Sequence, residues 1–548
     1  MAIHSQTGTM NAPSYHSQTL DHLGLVAGMV DELGLVPLVN KMLPKPVDDS
    51  TVSCGHAVKA MIVNGLGFVQ RALYLTPAFF RDKPVERLVG EGIQAEQLND
   101  DLLGRTLDKM YDYGLDKFYS PLSVQAVARL GLTGDKAHLD SSSFHTDGAY
   151  NSAHPPDDPE QTIHITRGYS RDHRPELNQL VLQLICENQA GIPVLMKPLS
   201  GNSSDKTDFR ETIQSHLNQL QTDVGIRYLV ADSALYTAET LPTLQDVYWI
   251  TRVPESLTLA KEQIHTHAAT LMADRETQSL QSVTVSYAAI RQRWLLVYSP
   301  AAYQRALKTV GRQFFKQSQQ ACDTFQRLCR QPFACQADAE KALAKWQKTA
   351  RATEVSDVRY RREARYRGRG RPATRAEPDY YDVYIEGAIA TQVAAYQERL
   401  ERKSCFIIAT NEQDEGRLAD DELLVIYKEQ QTVERGFRFL KDPQFMANTL
   451  FLKSVKRVMA LTVIMTLCLM VYAALEYRIR QSLQGNEKTF PNQVGKPVIN
   501  PTARWVFQYF TGIHLLTINE QQVFVLNMND EHRLLIQLLG NHYQQIYS

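Results

Sequence analysis

Through residues 1–130 apolar positions recur at intervals of three and four, in LGLVAGMVDELGLVPLVNKML, CGHAVKAMIVNGLGFV and DDLLGRTLDKMYDYGLDKFY, with Gly and Pro at the breaks. That period gives a helix one apolar face, so a helical N-terminal domain is expected over 1–130. From about residue 136 the pattern shortens. KAHLDSSSFH, NQLVLQLICEN, GIPVLMKPLSG, RYLVADSAL and VYWITRVP are brief β-branched and aromatic runs bounded by Gly, Pro, Asn and Asp, which are the marks of strands. A helical stretch, TDFRETIQSHLNQLQTDVG, lies between the third and fourth, and a shorter one, TAETLPTLQ, precedes the fifth. Together they predict a mixed α/β sheet over 131–255.

Residues 256–410 interrupt that sheet. Strand-like SVTVSYAAI and RWLLVYSP, a helical 301–350, an arginine-rich stretch, then strand-like YYDVYIEGAIA and KSCFIIATNE predict an inserted domain with strands at both ends and helices between. The core is expected to resume over 411–490 with LADDELLVIYKEQQTVERGFRFLKDP. There Leu423, Ile426, Val433, Phe437 and Leu440 make one apolar stripe, acids fill the first turn and Pro443 marks the stop, so a single amphipathic helix is expected. Residues 491–548 read as a C-terminal helical region. The strand and helix order is that of an RNase H-like mixed-sheet core with an inserted domain, preceded by a helical N-terminal domain.

One run asks whether the chain enters a membrane. VMALTVIMTLCLMVYAAL, residues 458–475, is uncharged over a length able to cross a bilayer. It stands alone, carries Thr462, Thr466 and Tyr472, and adjoins the amphipathic helix. A helix apolar all round and buried by protein is therefore expected, with no membrane partner. The N-terminal MAIHSQTGTMNAPSYHSQTL has no basic region ahead of an apolar run, so no secretory signal is expected.

At 548 residues and 43% hydrophobic, the chain is long enough for several cores. With 22% charged residues and a formal net charge of -1, its overall field does not attract a polyanion, and any nucleic-acid contact must be local. Seven cysteines are scattered without CxxC spacing, which excludes a zinc ribbon and a disulfide framework and fits a reducing cytoplasm. Cys322, Cys329 and Cys335 lie in a helical, apolar context and are expected to be buried thiols.

Two carboxylates carry the candidate chemistry. Asp140 ends the strand in HLDSSSFH and Asp232 ends the one in YLVADSALY. Neighbouring parallel strands that each finish in a carboxylate set two hard oxygen ligands side by side, as Mg²⁺ prefers; either Asp alone reads equally as a turn cap. On the amphipathic helix Tyr427, Gln430, Glu434 and Lys441 share a second stripe beside the apolar one, and Glu434 can either leave the core edge toward a metal or pair with Arg438 at i+4.

The spacing Tyr427-x2-Gln430-x3-Glu434-x6-Lys441 resembles the YREK signature of bacterial insertion-sequence DDE transposases. HLDSSSFHTDGAYN, ITRGYSRDHRPELNQ, PLSGNSSDKTDF and VADSALYTAE resemble one branch of the same family, and the likeness covers 136–255 and 400–480. It implies an RNase H-like fold with a β-rich insertion before the glutamate helix. It also implies Mg-dependent cleavage at element ends and strand transfer into target DNA. Asp140, Asp232 and Glu434 would hold two Mg²⁺ ions, for which Mn²⁺ can substitute, with carboxylates converging within about 4–7 Å. Tyr427 and Lys441 would contact DNA phosphates. Gln430 replaces the family's Arg, so its own DNA contact is expected to be weaker than that of Lys441, and an Arg restored there to be tolerated. The resemblance further implies a homodimer on double-stranded DNA, in the bacterial cytoplasm and at the nucleoid when bound. The N-terminal domain then serves DNA-end binding or dimerisation.

A local basic signal lies in RYRREARYRGRGRPATR, 359–375, with eight Arg against one Glu and tyrosines interleaved. Arg365, Arg367, Arg369 and Arg371 are expected to follow a DNA backbone, unless the stretch is a solvated loop. Trp249 and Trp294 can stack on a displaced base, although core packing is the plainer reading. Ser141, Ser142, Ser143 and His145 lack the GxSxG setting of a serine nucleophile. His164 and His173 either orient ligands or hold their loop.

Overall fold

A computed structural model describes residues 14–44, 52–67, 73–146, 163–170, 174–368, 377–442, 452, 454–519 and 522–548. The chain divides into two compact units, one of Met1–Ile250 with Leu423–Ser548 and the other Thr251–Glu422. The inserted domain expected over 256–410 lies within the second. The expected N-terminal, core and C-terminal regions pack as one unit.

That first unit opens with strand β1 (Tyr15–Thr19) and helices Leu23–Glu32, Leu35–Met42, Cys54–Gly65, Asp100–Tyr113 and Leu115–Leu130. Local chemistry sets their ends. Gly34 turns the chain between the first two with φ 65°, a conformation that costs Gly little. Ser53 and Asn99 cap their helices by accepting the backbone N–H groups of His56 and Leu102.

The core strands are β2 (Lys136–Thr146), β3 (Asn178–Glu187), β4 (Pro193–Ser200), β5 (Tyr228–Ala231) and β6 (Tyr248–Arg252), in the sheet order β4-β3-β2-β5-β6. β2 and β3, and β3 and β4, run antiparallel, while β2 and β5 run parallel. All five expected strands and the helix Asp205–Asp223 between the third and fourth are present. The β3–β4 turn is built on Glu187, whose buried carboxylate accepts backbone N–H groups from Gln189 at 2.8 Å, Ala190 at 2.8 Å and Ile192 at 2.9 Å. A buried carboxylate has to find such donors.

The long apolar run forms the helix Val455–Gly485, and 89% of its most apolar 18-residue window is buried in the protein. Leu23–Glu32, Cys54–Gly65, Asp100–Tyr113, Leu115–Leu130 and β4 pack on it. Trp249 is fully buried in the same unit, so it packs the core.

The C-terminal region departs from expectation. Between helices Ala503–Tyr509 and Asp530–Leu539 lies a hairpin of Ser-free strands, His514–Ile518 and Gln522–Leu526, and β1 completes a three-stranded sheet with it. β1 and its partner are nearly a chain length apart, so no local period reveals the pairing.

In the second unit, β7 (Ser279–Tyr287), β8 (Ile290–Tyr298) and β11 (Cys405–Thr410) make an antiparallel set, and β9 (Thr353–Arg365) pairs antiparallel with β10 (Tyr380–Thr391). Helices Pro300–Arg330 and Gln336–Thr349 cover one face of that hairpin, around Phe325, Trp346, Val383 and Ile385. Trp294 is fully buried and donates to the Gln292 side chain at 3.0 Å. The expected burial fails for three thiols, because Cys322 and Cys329 are half-buried and Cys335 is exposed at the start of its helix.

His22 supplies a test of this packing. It is buried, stacks on Phe507 at 4.4 Å, and lies 2.8 Å from the carbonyl of Leu66. Burial lowers its pKa to about 4, against about 6.5 in an unfolded chain. The unfolded state then binds the proton first as pH falls, so this stability is complete above about pH 6.5 and is lost toward pH 4. His22→Gln should flatten the pH dependence of the urea midpoint across that window; an unchanged slope would show that His22 does not titrate this way.

Candidate active site

The register of β2 on β5 brings the two aspartates together. Leu139 lies opposite Ala231 at the last paired position, and Asp140 and Asp232 come next on strands about 4.8 Å apart. Asp140 is 8% exposed and its Oδ1 accepts the Ser141 N–H at 2.8 Å. Asp232 is half-buried, and its Oδ1 accepts the Ala234 N–H at 2.9 Å.

The glutamate segment is not the single helix that periodicity predicts. It forms Asp420–Lys428 and Gln431–Leu440, interrupted at Glu429 and Gln430, where the N–H of Gln430 reaches only the carbonyl of Tyr427. The apolar stripe survives the break, since Leu423, Ile426, Val433, Phe437 and Leu440 are all buried. The polar stripe does not: Glu434 and the C-cap Lys441 stay with one helix, whereas half-buried Tyr427 belongs to the other.

Two anchors set the segment along β2. Asn188, whose N–H binds the carbonyl of Lys136 at the start of β2, donates from its side chain to Glu429 at 3.4 Å. At the far end Phe437 packs on Phe144 with ring centroids 6.5 Å apart, and the Lys441 ammonium lies 5.6 Å from the same ring. Alternate residues of a strand share a face, so Asp140 and Phe144 look the same way, toward the helix that carries Glu434. Glu434 is exposed. Among the described residues it makes no ion pair with Arg438, so the i+4 pairing considered from sequence does not form.

Among the described residues no group of three or more His, Cys, Asp or Glu side chains is gathered as a metal cage. The expected convergence of three carboxylates is therefore not seen among these residues: the register sets Asp140 and Asp232 side by side, and Glu434 lies on the helix whose Phe437 packs on Phe144. The donors suit a hard divalent ion: each Asp keeps one oxygen on a neighbouring backbone N–H, which orients its carboxylate, and all donors are oxygen.

His138, two residues before Asp140 on the same face, went unremarked in the sequence. It is fully buried, neither ring nitrogen has a hydrogen-bond partner among the described residues, and burial lowers its pKa to about 4. It is a neutral wall at neutral pH. His145 meets Ser170 at 3.3 Å, and the His164 backbone binds the Ser200 hydroxyl and the Gly201 N–H, which ties the loop to β4. His173 lies outside the described residues.

Two residues expected to contact DNA are placed in committed surroundings. Gln430 is only 7% exposed at the helix break. Arg365 is in β9, not a loose loop, and its guanidinium binds Asp382 at 2.6 Å and the Tyr384 hydroxyl at 2.7 Å. These partners hold its pKa above the usual arginine value. Arg361 is likewise shared between Glu363 and Glu386. Arg367 is exposed, and Arg369 and Arg371 lie outside the described residues.

Asp140 was expected to end its strand, but β2 runs on to Thr146, and only Asp232 follows the end of its strand. A mixed sheet in this strand order, with acids side by side where its adjacent parallel strands stop pairing, defines an RNase H-like phosphoryl-transfer core. Residues 138–471, more than half of the chain, match the Transposase DDE domain, and the protein belongs to that family. It is a DDE transposase, a DNA nuclease and strand transferase, and that domain implies dependence on a divalent metal. Residues 15–124 match a domain of unknown function, DUF4277. No curated protein matches the chain. Among solved structures, a piggyBac transposase synaptic complex with hairpin DNA aligns over 89% of this chain and 79% of its own, at 8% identity and a TM-score of 0.35. Likeness at that level carries no argument about the present chain.

Lys441→Ala should cut end-DNA cleavage strongly with little change in the denaturation midpoint, because Lys441 lies at the rim of this face. Gln430→Arg, expected from sequence to be tolerated, should instead destabilise by about 1–3 kcal/mol, since a longer charged side chain enters a filled site. Cleavage rates measured beside urea midpoints check both; a stable, active Gln430→Arg protein would show that the break accommodates the charge.

Proposed function

We propose that the protein cuts DNA at the ends of an insertion element and joins them to target DNA, with Asp140, Asp232 and Glu434 as ligands of Mg²⁺ or Mn²⁺. The parallel register that sets Asp140 beside Asp232, on the face covered by the glutamate helix, carries this reading. When bound, a pair of such ions supplies the charge that in-line displacement at phosphorus needs on its attacking and leaving oxygens.

The remaining work falls to side chains. Backbone N–H groups hold the two aspartates in place, and the buried, neutral His138 adds no competing positive charge beneath them. Lys441 offers a strand phosphate a cation at the rim, and Tyr427 a hydroxyl from the preceding helix. Water serves as the first nucleophile and the freed 3′-OH as the second, so no Ser or Cys nucleophile is required. Exposed Arg367 at the end of the β9–β10 hairpin, with Arg369 and Arg371, adds sequence-independent backbone contacts. Joining two ends calls for two copies of the chain on one pair of ends, and the cytoplasm is where such DNA is met.

Asp140→Ala, Asp232→Ala and Glu434→Ala should each abolish cleavage and strand transfer of the element's own end DNA while end binding persists. A Glu434→Ala protein with full activity would remove the third ligand from this account. For the hairpin, Arg367→Ala should flatten the salt dependence of DNA binding by about 0.9 in log–log slope per lost phosphate contact, whereas Arg365→Ala should leave the slope alone. A slope change from Arg365→Ala as large as that from Arg367→Ala would mean that Arg365 leaves Asp382 for DNA.

A further inference from the structure

In the second unit, the first part of the helix Pro300–Arg330 carries charge of one sign. Residues 300–322 hold Arg305, Lys308, Arg312 and Lys316 and no acid. At 100° per residue the four fall within an arc of about 80°, and all are exposed. Tyr303, Ala306, Val310 and Phe314, on the other side of the helix, are buried, where it packs on β10 and on the helix Val393–Ser404. Beyond Asp323 the basic face continues with exposed Arg327 and Arg330.

This stripe differs from the other charged surfaces of its unit. The helices Gln336–Thr349 and Val393–Ser404 mix Asp or Glu with Lys and Arg, and on the β9–β10 hairpin Arg361 and Arg365 are held by acids. Among the described residues, none of the four cations has an ion pair, a side-chain hydrogen bond or a ring contact. Arg305 with Lys308, Lys308 with Arg312, and Arg312 with Lys316 are like charges three or four residues apart, an arrangement that destabilises a helix. No described side chain supplies an anion to relieve it. A polyanion laid along the helix does.

We propose that this basic face lies along a DNA duplex and holds its backbone by phosphate contacts independent of sequence. The proposal rests on the reading of double-stranded DNA as the substrate and not on the assignment of metal ligands. Length and charge both fit. From Arg305 to Lys316 the helix axis rises about 16 Å, over which one strand of a duplex presents about five phosphates at roughly 3.4 Å of rise each. Four cations therefore meet a comparable number of phosphates. Because the apolar side of the helix is already buried within its own unit, the exposed side binds through charge, and phosphate charge carries no base sequence.

The test is fluorescence anisotropy of the full-length protein with fluorescein-labelled duplexes of unrelated sequence, in EDTA so that no strand is cut, across a salt series. Arg305→Gln/Lys308→Gln/Arg312→Gln/Lys316→Gln should flatten the log–log salt slope on every duplex by about 3.6, or 0.9 for each lost contact, and weaken binding at low salt by more than about tenfold. Arg305→Lys/Arg312→Lys should keep the wild-type slope. Lys341→Gln/Lys345→Gln/Lys348→Gln removes exposed charge from the helix Gln336–Thr349 of the same unit and should change the slope by less than about 0.9 in total. Thermal unfolding midpoints should match the wild type throughout, since these side chains hold no described part of the fold. Unchanged slope and affinity in the quadruple variant overturn the proposal. An equal loss per charge from the three-lysine variant also overturns it, because the effect is then one of net charge. Should the quadruple variant unfold early, Arg312→Gln alone decides, with a slope flatter by about 0.9 expected and an unchanged slope fatal. Vesicles of phosphatidylserine and phosphatidylcholine test the other polyanion: if the quadruple variant loses them while still binding duplex as the wild type does, the face serves a lipid surface and the proposal falls. Failure of the metal-ligand reading is seen in cleavage by Glu434→Ala, and failure of this one in binding without metal.

Discussion

The first unit depends on hiding one helix from water. Val455–Gly485 is apolar on nearly every side, and fully burying a large aliphatic side chain is worth roughly 1.5–3 kcal/mol, so the surrounding elements are organised around covering it. N-terminal helices, β4 and the C-terminal helix Asp530–Leu539 each take part of its surface. The closure is locked by polar contacts at its end, where Glu32 accepts from Arg478 at 2.9 Å and from the Tyr543 hydroxyl at 2.7 Å. The helix that carries Glu434 is placed by the same demand. Gly436 lies close against Leu469, and Phe439 packs on Tyr472 with ring centroids 4.1 Å apart. Glu434 is thus positioned by what lies behind its helix as much as by the sheet in front of it.

Charge in this protein is used locally. A net charge of -1 hides sharp contrasts. The outer face of the β9–β10 hairpin is rich in arginine, but its acids neutralise Arg361 and Arg365 across the strands, and exposed pairs of this kind contribute little stability while reducing the charge available to a ligand. Around the glutamate helix the balance is reversed, because arginines from three separate segments outnumber the acids there. A basic run in sequence and a basic site in space are therefore different objects here. In the denser run Arg361 and Arg365 are paired with its own acids, and the arginines that line one cavity beside the glutamate helix are dispersed over 435–504.

The site combines rigidity and access. Asp140 is in the middle strand of the sheet, with hydrogen-bonded neighbours on both sides, so its carboxylate is set by the backbone. Glu434 is exposed, on a short helix that begins beside a break in the hydrogen-bond ladder. Under the proposed assignment two donors are held firmly and the third comes from a separate element, which suits a large, stiff substrate that must enter and leave.

Much of this was legible in the sequence. Brief β-branched and aromatic runs bounded by turn residues located all five core strands, the 3.6 period located the helices and the buried stripe from Leu423 to Leu440, and apolar runs leading into Asp140 and Asp232 marked the two carboxylates. These features are local, since a strand or helix writes its period into consecutive residues. The spacing of Glu434 and Lys441 also survived, because Lys441 caps the uninterrupted helix that carries Glu434. Tertiary structure decided the rest. It broke the ladder at Gln430 and withdrew that side chain from solvent, paired Arg365 with Asp382, joined Tyr15–Thr19 to His514–Ile518, and brought Arg438 and Arg504 to one cavity. Each of these depends on which distant side chains become neighbours, and that is set by the burial of a shared core, which no periodicity within one segment records.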